Sequence, residues 1–177
     1  MPSDKMESAE SHVPVWFERK FDFSFSVALL PNLRARLRGT PARLDEALRG
    51  RPHEILVRKA RDKWSAQEHA GHLADLEPLW LARVGDYVVA SAQLTVTDLN
   101  NRKTDDANHN ARPVEQILSE FRAARARLLA RVDELDASLF VRAIPQPRLK
   151  TPMRLVDHLY FVAEHDDHHL ARIWELG

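Results

Sequence analysis

The sequence predicts an all-α protein, a four-helix bundle with an extended N-terminal arm. Three observations carry this reading. Four long stretches space their apolar residues at helical intervals, and no confident pair of strands accompanies them. Glycine occurs only five times in 177 residues, too rarely for a many-stranded β fold and its tight turns. The composition is globular, 44% hydrophobic and 29% charged, and the length suits one domain with a core of normal size.

Residues 1–12 are polar and charged and read as a flexible arm, which leaves 13–177 as a single bundle domain. Phe21, Phe23 and Phe25 then alternate with Asp22, Ser24 and Ser26, a period of two. One short strand cannot stand alone, so this is an extended segment laying its phenylalanines on a core built by the later helices. Leu33, Leu37, Leu44 and Leu48 recur at helical steps. Gly39-Thr40-Pro41 interrupts them and predicts either a kink or two shorter helices. Gly50 fits a C-terminal cap.

Ser65-Ala66-Gln67-Glu68 has the form of a capping box and starts a second helix, which should run to about Ala90 with a bend at Pro78. Residues 92–112 are polar and rich in asparagine, a long connection for a bundle. Pro113 suits the first position of a third helix, whose apolar stripe is Ile117, Phe121, Leu128, Leu129 and Val132. Pro145 and Pro147 mark 137–150 as irregular. Thr151-Pro152 reads as the start of a fourth helix that runs to about Glu175.

Nine histidines are the compositional excess. His165 and His169, four residues apart on the fourth helix, face the same way and can both reach one ion at about 2.0–2.1 Å. A polar pair on a solvated face is the plainer meaning of that spacing. The helical projection speaks against it. Leu155, Leu159, Val162, Leu170 and Ile173 form the apolar arc; His165 and His169 border it, and His168 turns further outward. His158 reads as a core or supporting histidine. A third ligand can come from a neighbouring bundle helix, where His72 and His69 compete. Gly71 costs about 1 kcal/mol inside a helix relative to alanine and signals the close approach of a neighbour.

Two segments resemble the DinB-like superfamily. Trp64-Ser65, Glu68 and His72-Leu73-Ala74-Asp75-Leu76-Glu77-Pro78-Leu79-Trp80 resemble its second-helix motif. Ala163-Glu164-His165-Asp166-Asp167-His168-His169-Leu170-Ala171-Arg172-Ile173 resemble its last-helix motif. The resemblance covers about residues 28–176. It implies a bundle that carries one divalent ion on three histidines, at positions matching His72, His165 and His169. Glu164 is the alternative ligand, because some members use a glutamate.

Three histidines leave a coordination position open, and neutral ligands keep the full charge on the ion, which acidifies a water or thiol held there. The ion is expected to be zinc or nickel, although nitrogen ligands suit iron and copper too. Two chemistries are then open: hydrolysis of an ester or amide by water, or attack on an electrophile by a small thiol. With no cysteine in the chain, such a low-molecular-weight thiol must come from outside. The resemblance implies either, with an S-transferase ahead of a hydrolase. The competing class is a non-catalytic binding or stress-response bundle with a structural metal.

Asp75, Glu77, Asp166 and Asp167 are candidate partners for the imidazole N–H groups, or plain surface charges. The 92–112 loop, with Asn100, Asn101, Thr104, Asn108, His109 and Asn110, is either a lid or a solvated connector. A small-molecule substrate is the expected partner, and a homodimer is left open. The net charge of zero argues against nucleic acid. The chain shows neither an apolar run of about 20 residues nor a signal-peptide pattern, so no membrane and a cytoplasmic location are expected.

Overall fold

The computed structural model describes residues 12–59 and 63–176, so most of the 1–12 arm lies outside the described residues. Four long helices match the four helical patterns: α1 (Leu30–Leu48), α3 (Ala66–Val89), α5 (Val114–Asp133) and α6 (Leu155–Glu175). Short helices α2 (His53–Leu56) and α4 (Arg102–Asp106) lie in the connections. A hairpin of β1 (Ala143–Gln146) and β2 (Thr151–Arg154) precedes α6. Helices α1 and α3 each pack against both α5 and α6, so the first two long helices sit diagonally across the bundle.

Of the two outcomes predicted at Pro41, the split into two shorter helices does not occur, and α1 runs through it. Pro41 has no N–H to donate to the Leu37 carbonyl, but Nη1 of Arg125 on α5 donates to that oxygen at 3.2 Å. Arg125 is itself held on both sides. Its guanidinium donates to Glu77 of α3 and to Asp166 of α6, at 2.6 Å to each. The Thr40 hydroxyl of α1 donates to Asp166 at 2.8 Å. One buried ionic cluster therefore joins all four long helices. Burial works against the Arg125 charge, yet the two carboxylates hold its pKa above the ordinary range; burial pushes Glu77 up despite the arginine.

This cluster divides the apolar core. On one side lie Leu37, Trp80, Val84, Leu128 and Leu159, and on the other Leu44, Ala70, Leu73, Phe121 and Leu170. The chain meets these halves in one order along α1 and α6 and in the reverse order along α3 and α5. So α1 runs parallel to α6 and antiparallel to α5, and α3 runs antiparallel to α6.

The capping box at Ser65 is complete: Glu68 N–H donates to Ser65 Oγ at 3.2 Å, and Ser65 N–H to Glu68 Oε2 at 2.8 Å. Gly50 takes a φ of +77° just past α1, as a C-terminal cap requires. Phe21, Phe23 and Phe25 are half-buried and the residues between them exposed, the predicted alternation without a strand partner. Arg154 Nη2 fastens this segment by donating to the carbonyls of Phe23 and Phe25, at 2.8 and 2.9 Å.

Thr151-Pro152 does not start the last helix; it forms β2. Pro152 pairs with Pro145, and neither has an N–H to lose, so the ladder bonds fall to the flanking pairs. The buried Ile144–Met153 pair packs the hairpin on the core. Helix α6 starts at Leu155, where Asp157 accepts from the Arg154 N–H at 2.8 Å. Among the described residues no helix is long and apolar enough to cross a membrane.

Candidate metal centre

His72 on α3 and His165 and His169 on α6 come together where these antiparallel helices pack. One nitrogen of each lies within 4.8 Å of the others, and all three side chains are buried. Nε2 of His165 and Nε2 of His169 face each other at 3.2 Å. Two nitrogens bound tetrahedrally to one ion at about 2.0–2.1 Å stand about 3.3 Å apart. The His165–His169 pair therefore has the spacing that one divalent ion requires, with the His72 nitrogen within 4.8 Å of both.

The outer nitrogens show how two of the rings are held. His72 Nδ1–H donates to Thr104 Oγ1 at 2.9 Å, and the Thr104 hydroxyl donates to Asp75 Oδ2 at 3.0 Å. His109 Nε2–H donates to the same Asp75 oxygen at 2.8 Å. The relay leaves Nε2 of His72 as the free lone pair. Nδ1 of His169 lies 2.8 Å from Nδ1 of His69, so a proton on His169 Nδ1 is accepted by His69 and Nε2 stays free for the ion. His165 Nδ1 has no partner among the described residues, and packing holds this ring between Trp16 and Trp80, at 5.0 and 5.6 Å.

Of the two competing histidines, His72 joins the cluster and His69 lies behind His169. Burial pushes the pKa of His69 down to about 3 and that of His72 to about 4, and takes His165 and His169 well below the ordinary range. All four imidazoles are neutral near pH 7, the form that binds metal.

Several sequence expectations change. His168 is buried, not turned outward, and lies 5.5 Å from Trp16. His158, by contrast, is the core histidine expected, beneath Trp80. Glu164, the alternative ligand, is held by Arg19 and Arg36, which keep its carboxyl low against the effect of burial. Of the four candidate carboxylates only Asp75 reaches an imidazole of the cluster, through Thr104. Glu77 and Asp166 belong to the Arg125 cluster, and Asp167 pairs with Arg36 and Arg43.

The 92–112 loop is more than a solvated connector: it buries Thr104 and His109 against α3. Asn110 and Asp105 anchor it, accepting from Ser65 Oγ at 2.7 Å and Trp64 Nε1 at 2.9 Å. The neighbour that Gly71 announces is His109, whose ring would lie 2.3 Å from a Cβ at that position. The open side of the histidine cluster faces a cavity of about 360 Å³ lined by Trp16, Trp64, Trp80, Phe161, Arg83 and Arg148, among others. Trp16 from the arm and Arg148 from the hairpin turn had no sequence signal, because the chain reaches the site there without a motif.

Residues 36–173 match the DinB superfamily. The chain belongs to this superfamily. No curated protein matches the sequence. Among solved structures, this DinB chain is similar to YfiT from Bacillus subtilis, described as a probable metal-dependent hydrolase with an unusual four-helix bundle topology. The TM-score is 0.78 at 22% identity, over 90% of this chain and 91% of YfiT. A mycothiol-dependent maleylpyruvate isomerase matches with a TM-score of 0.65 at 10% identity, over 80% of this chain and 59% of the isomerase. At these identities the likeness establishes the fold, and the DinB chain spans about three fifths of the isomerase.

Proposed function

We propose that this DinB protein is a metal-dependent enzyme in which His72, His165 and His169 hold one divalent ion and a small external thiol is the nucleophile, transferred to an electrophilic substrate. The observation that carries this is the convergence of three buried histidines, one ring nitrogen of each within 4.8 Å of the others, on an aromatic-lined cavity. A divalent ion in that position lowers the pKa of a group it binds and so raises the share of reactive anion near neutral pH.

The chain's own residues fix the rest. Thr104 and Asp75 hold the His72 ring, and His69 holds His169. Trp16, Trp80 and Phe161 exclude water and offer flat apolar faces to an organic substrate. Among the described residues that line the cavity, Asp98 is the one carboxylate, and it accepts from the N–H groups of Asn100 and Arg102 at 3.0 and 3.1 Å. The bond from the Asn100 N–H above all holds its carboxyl below the ordinary range, which makes it a weak base toward water. A thiol, with an ordinary pKa of about 8.5, needs far less help. This favours thiol transfer over hydrolysis; the likeness to YfiT keeps hydrolysis as the second reading.

The test is metal analysis of the purified protein, followed by a panel of low-molecular-weight thiols with a chromogenic electrophile and a panel of nitrophenyl esters. Each is run on metal-loaded and stripped protein. Metal-dependent consumption of thiol supports the proposal. Metal-dependent ester cleavage alone makes the protein a hydrolase, and neither activity with metal bound makes the ion structural.

A further inference from the structure

Arg125 lies buried between two carboxylates, but two arginines of the cavity have no such partner. Arg83 on α3 is 2% exposed, and its hydrogen bond, Nε–H to the Thr95 carbonyl at 2.9 Å, leaves the rest of the guanidinium without a carboxylate among the described residues. The nearby carboxylate of Asp86 accepts from Ser91 and Thr95 and attracts Arg83 through space, but forms no ion pair with it among the described residues. Arg148, in the turn between β1 and β2, has a buried Nη2 with no hydrogen-bond partner. A buried cation without a counter-charge is costly, and a neighbouring like charge adds to the cost.

The surroundings say what would offset that cost. The Arg83 guanidinium lies 5.4 Å from the Trp80 ring, and that of Arg148 lies 5.5 Å from Phe161 and 5.9 Å from Trp16. Trp16 and Trp80 are the rings that flank His165. A small molecule anchored by the arginines would thus lay its body across these rings toward the histidine cluster. The cavity volume of about 360 Å³ is at the lower end of the range for small-molecule sites. Guanidinium forks match the oxygens of carboxylates and phosphates.

We propose that Arg83 and Arg148 form an anion-binding subsite that takes the oxyanion group of a small, mainly apolar organic acid. This deepens the enzyme reading by giving its substrate a charge, yet it can be tested without turnover or metal. Metal-free protein is titrated with benzoate, phenyl phosphate and benzamide, with the tryptophan fluorescence of Trp16 and Trp80 as readout. Metal is left out so that the histidine cluster cannot hold the anion.

One or both anions bind and the neutral amide does not; which of them binds identifies the oxyanion as carboxylate or phosphate. Arg148→Gln, which removes no hydrogen bond, weakens anion binding about ten-fold or more and leaves zinc affinity unchanged. Arg83→Lys keeps the charge and retains part of the binding. Equal binding of all three probes, no binding of either anion, or wild-type affinity in Arg148→Gln overturns the proposal. None of these outcomes depends on the metal reading, which fails separately if the purified protein binds no ion.

Discussion

Gly71→Ala tests whether the loop and the histidine cluster act as one unit. On helix propensity alone the change stabilises by about 1 kcal/mol. The structure reverses the sign. The new methyl carbon would lie 2.3 Å from the His109 ring, against an ordinary contact of about 3.5–4.0 Å, so the ring must move by more than 1 Å. His109 is 2% exposed and has little room to move. Overpacking costs about 1–3 kcal/mol, and loss of the 2.8 Å bond from His109 to Asp75 costs about 1.5–3 more. After the propensity gain the net loss is about 2 kcal/mol or more, which lowers the melting temperature by about 4–8 °C.

A second readout separates packing from function. Asp75 receives both His109 and Thr104, and Thr104 holds His72. Disturbing that relay lowers zinc affinity about 10–100-fold. The control is Gly85→Ala on the same helix, where nothing lies within 4 Å of the added carbon. It should raise the melting temperature by about 2–4 °C and leave zinc affinity alone. Thermal unfolding followed by circular dichroism and competitive zinc titration on both variants decide the matter. If Gly71→Ala behaves like Gly85→Ala in both assays, His109 does not press on the helix and the relay does not position His72.

Three further outcomes are expected. Alanine at His72, His165 or His169 removes the bound ion by metal analysis, whereas His168→Ala retains it; an ion that survives the loss of any of the three refutes the ligand assignment. Burial lowers the pKa of His69, His72 and His158 to about 3, 4 and 3, so the unfolded chain binds more protons below pH 6.5 and stability falls with pH from there toward 4. One unit below 6.5 these three alone cost about 4 kcal/mol, so metal-free protein should unfold in mild acid and zinc should delay it; a metal-free fold intact at pH 4.5 refutes this. Arg125→Met strands Glu77 and Asp166 and should cost about 3–5 kcal/mol in denaturant unfolding; a loss under 1 kcal/mol would mean that the cluster ties the helices only weakly.

The bundle was legible because its signals are local and periodic: the leucine spacing of α1, the serine capping box of α3, the stripe of α5. The α3–α6 juxtaposition was legible in two histidines four apart at the edge of an apolar arc and in the resemblance of two segments to the superfamily's helix motifs, whereas the glycine beside His72 announced the loop. Failures came where a distant residue decided the outcome. Pro41 reads as a break until Arg125 supplies the missing donor. Thr151-Pro152 reads as a cap until Pro145 arrives as its partner. Glu77 and Asp166, which flank motif histidines in sequence, turn away from them because one arginine draws both. The projection put His168 outside because it knew nothing of Trp16, which the arm folds over that face.

The position of the ionic cluster bears on why the site is where it is. A buried Arg–carboxylate cluster adds little net stability compared with an apolar core of the same volume, and here it interrupts an otherwise continuous core. Yet Asp166 is the residue after His165, and Glu77 lies five residues beyond His72. Gripping both with Arg125 fixes the rotation and the axial position of α6 against α3, the two helices on which the ligand nitrogens must meet. An apolar seam would let them slide by a fraction of an ångström at small cost, and any slide carries His72 away from the His165–His169 pair on the other helix. Arg125, Glu77 and Asp166 do not line the cavity, where the histidines share the walls with Arg83 and Arg148.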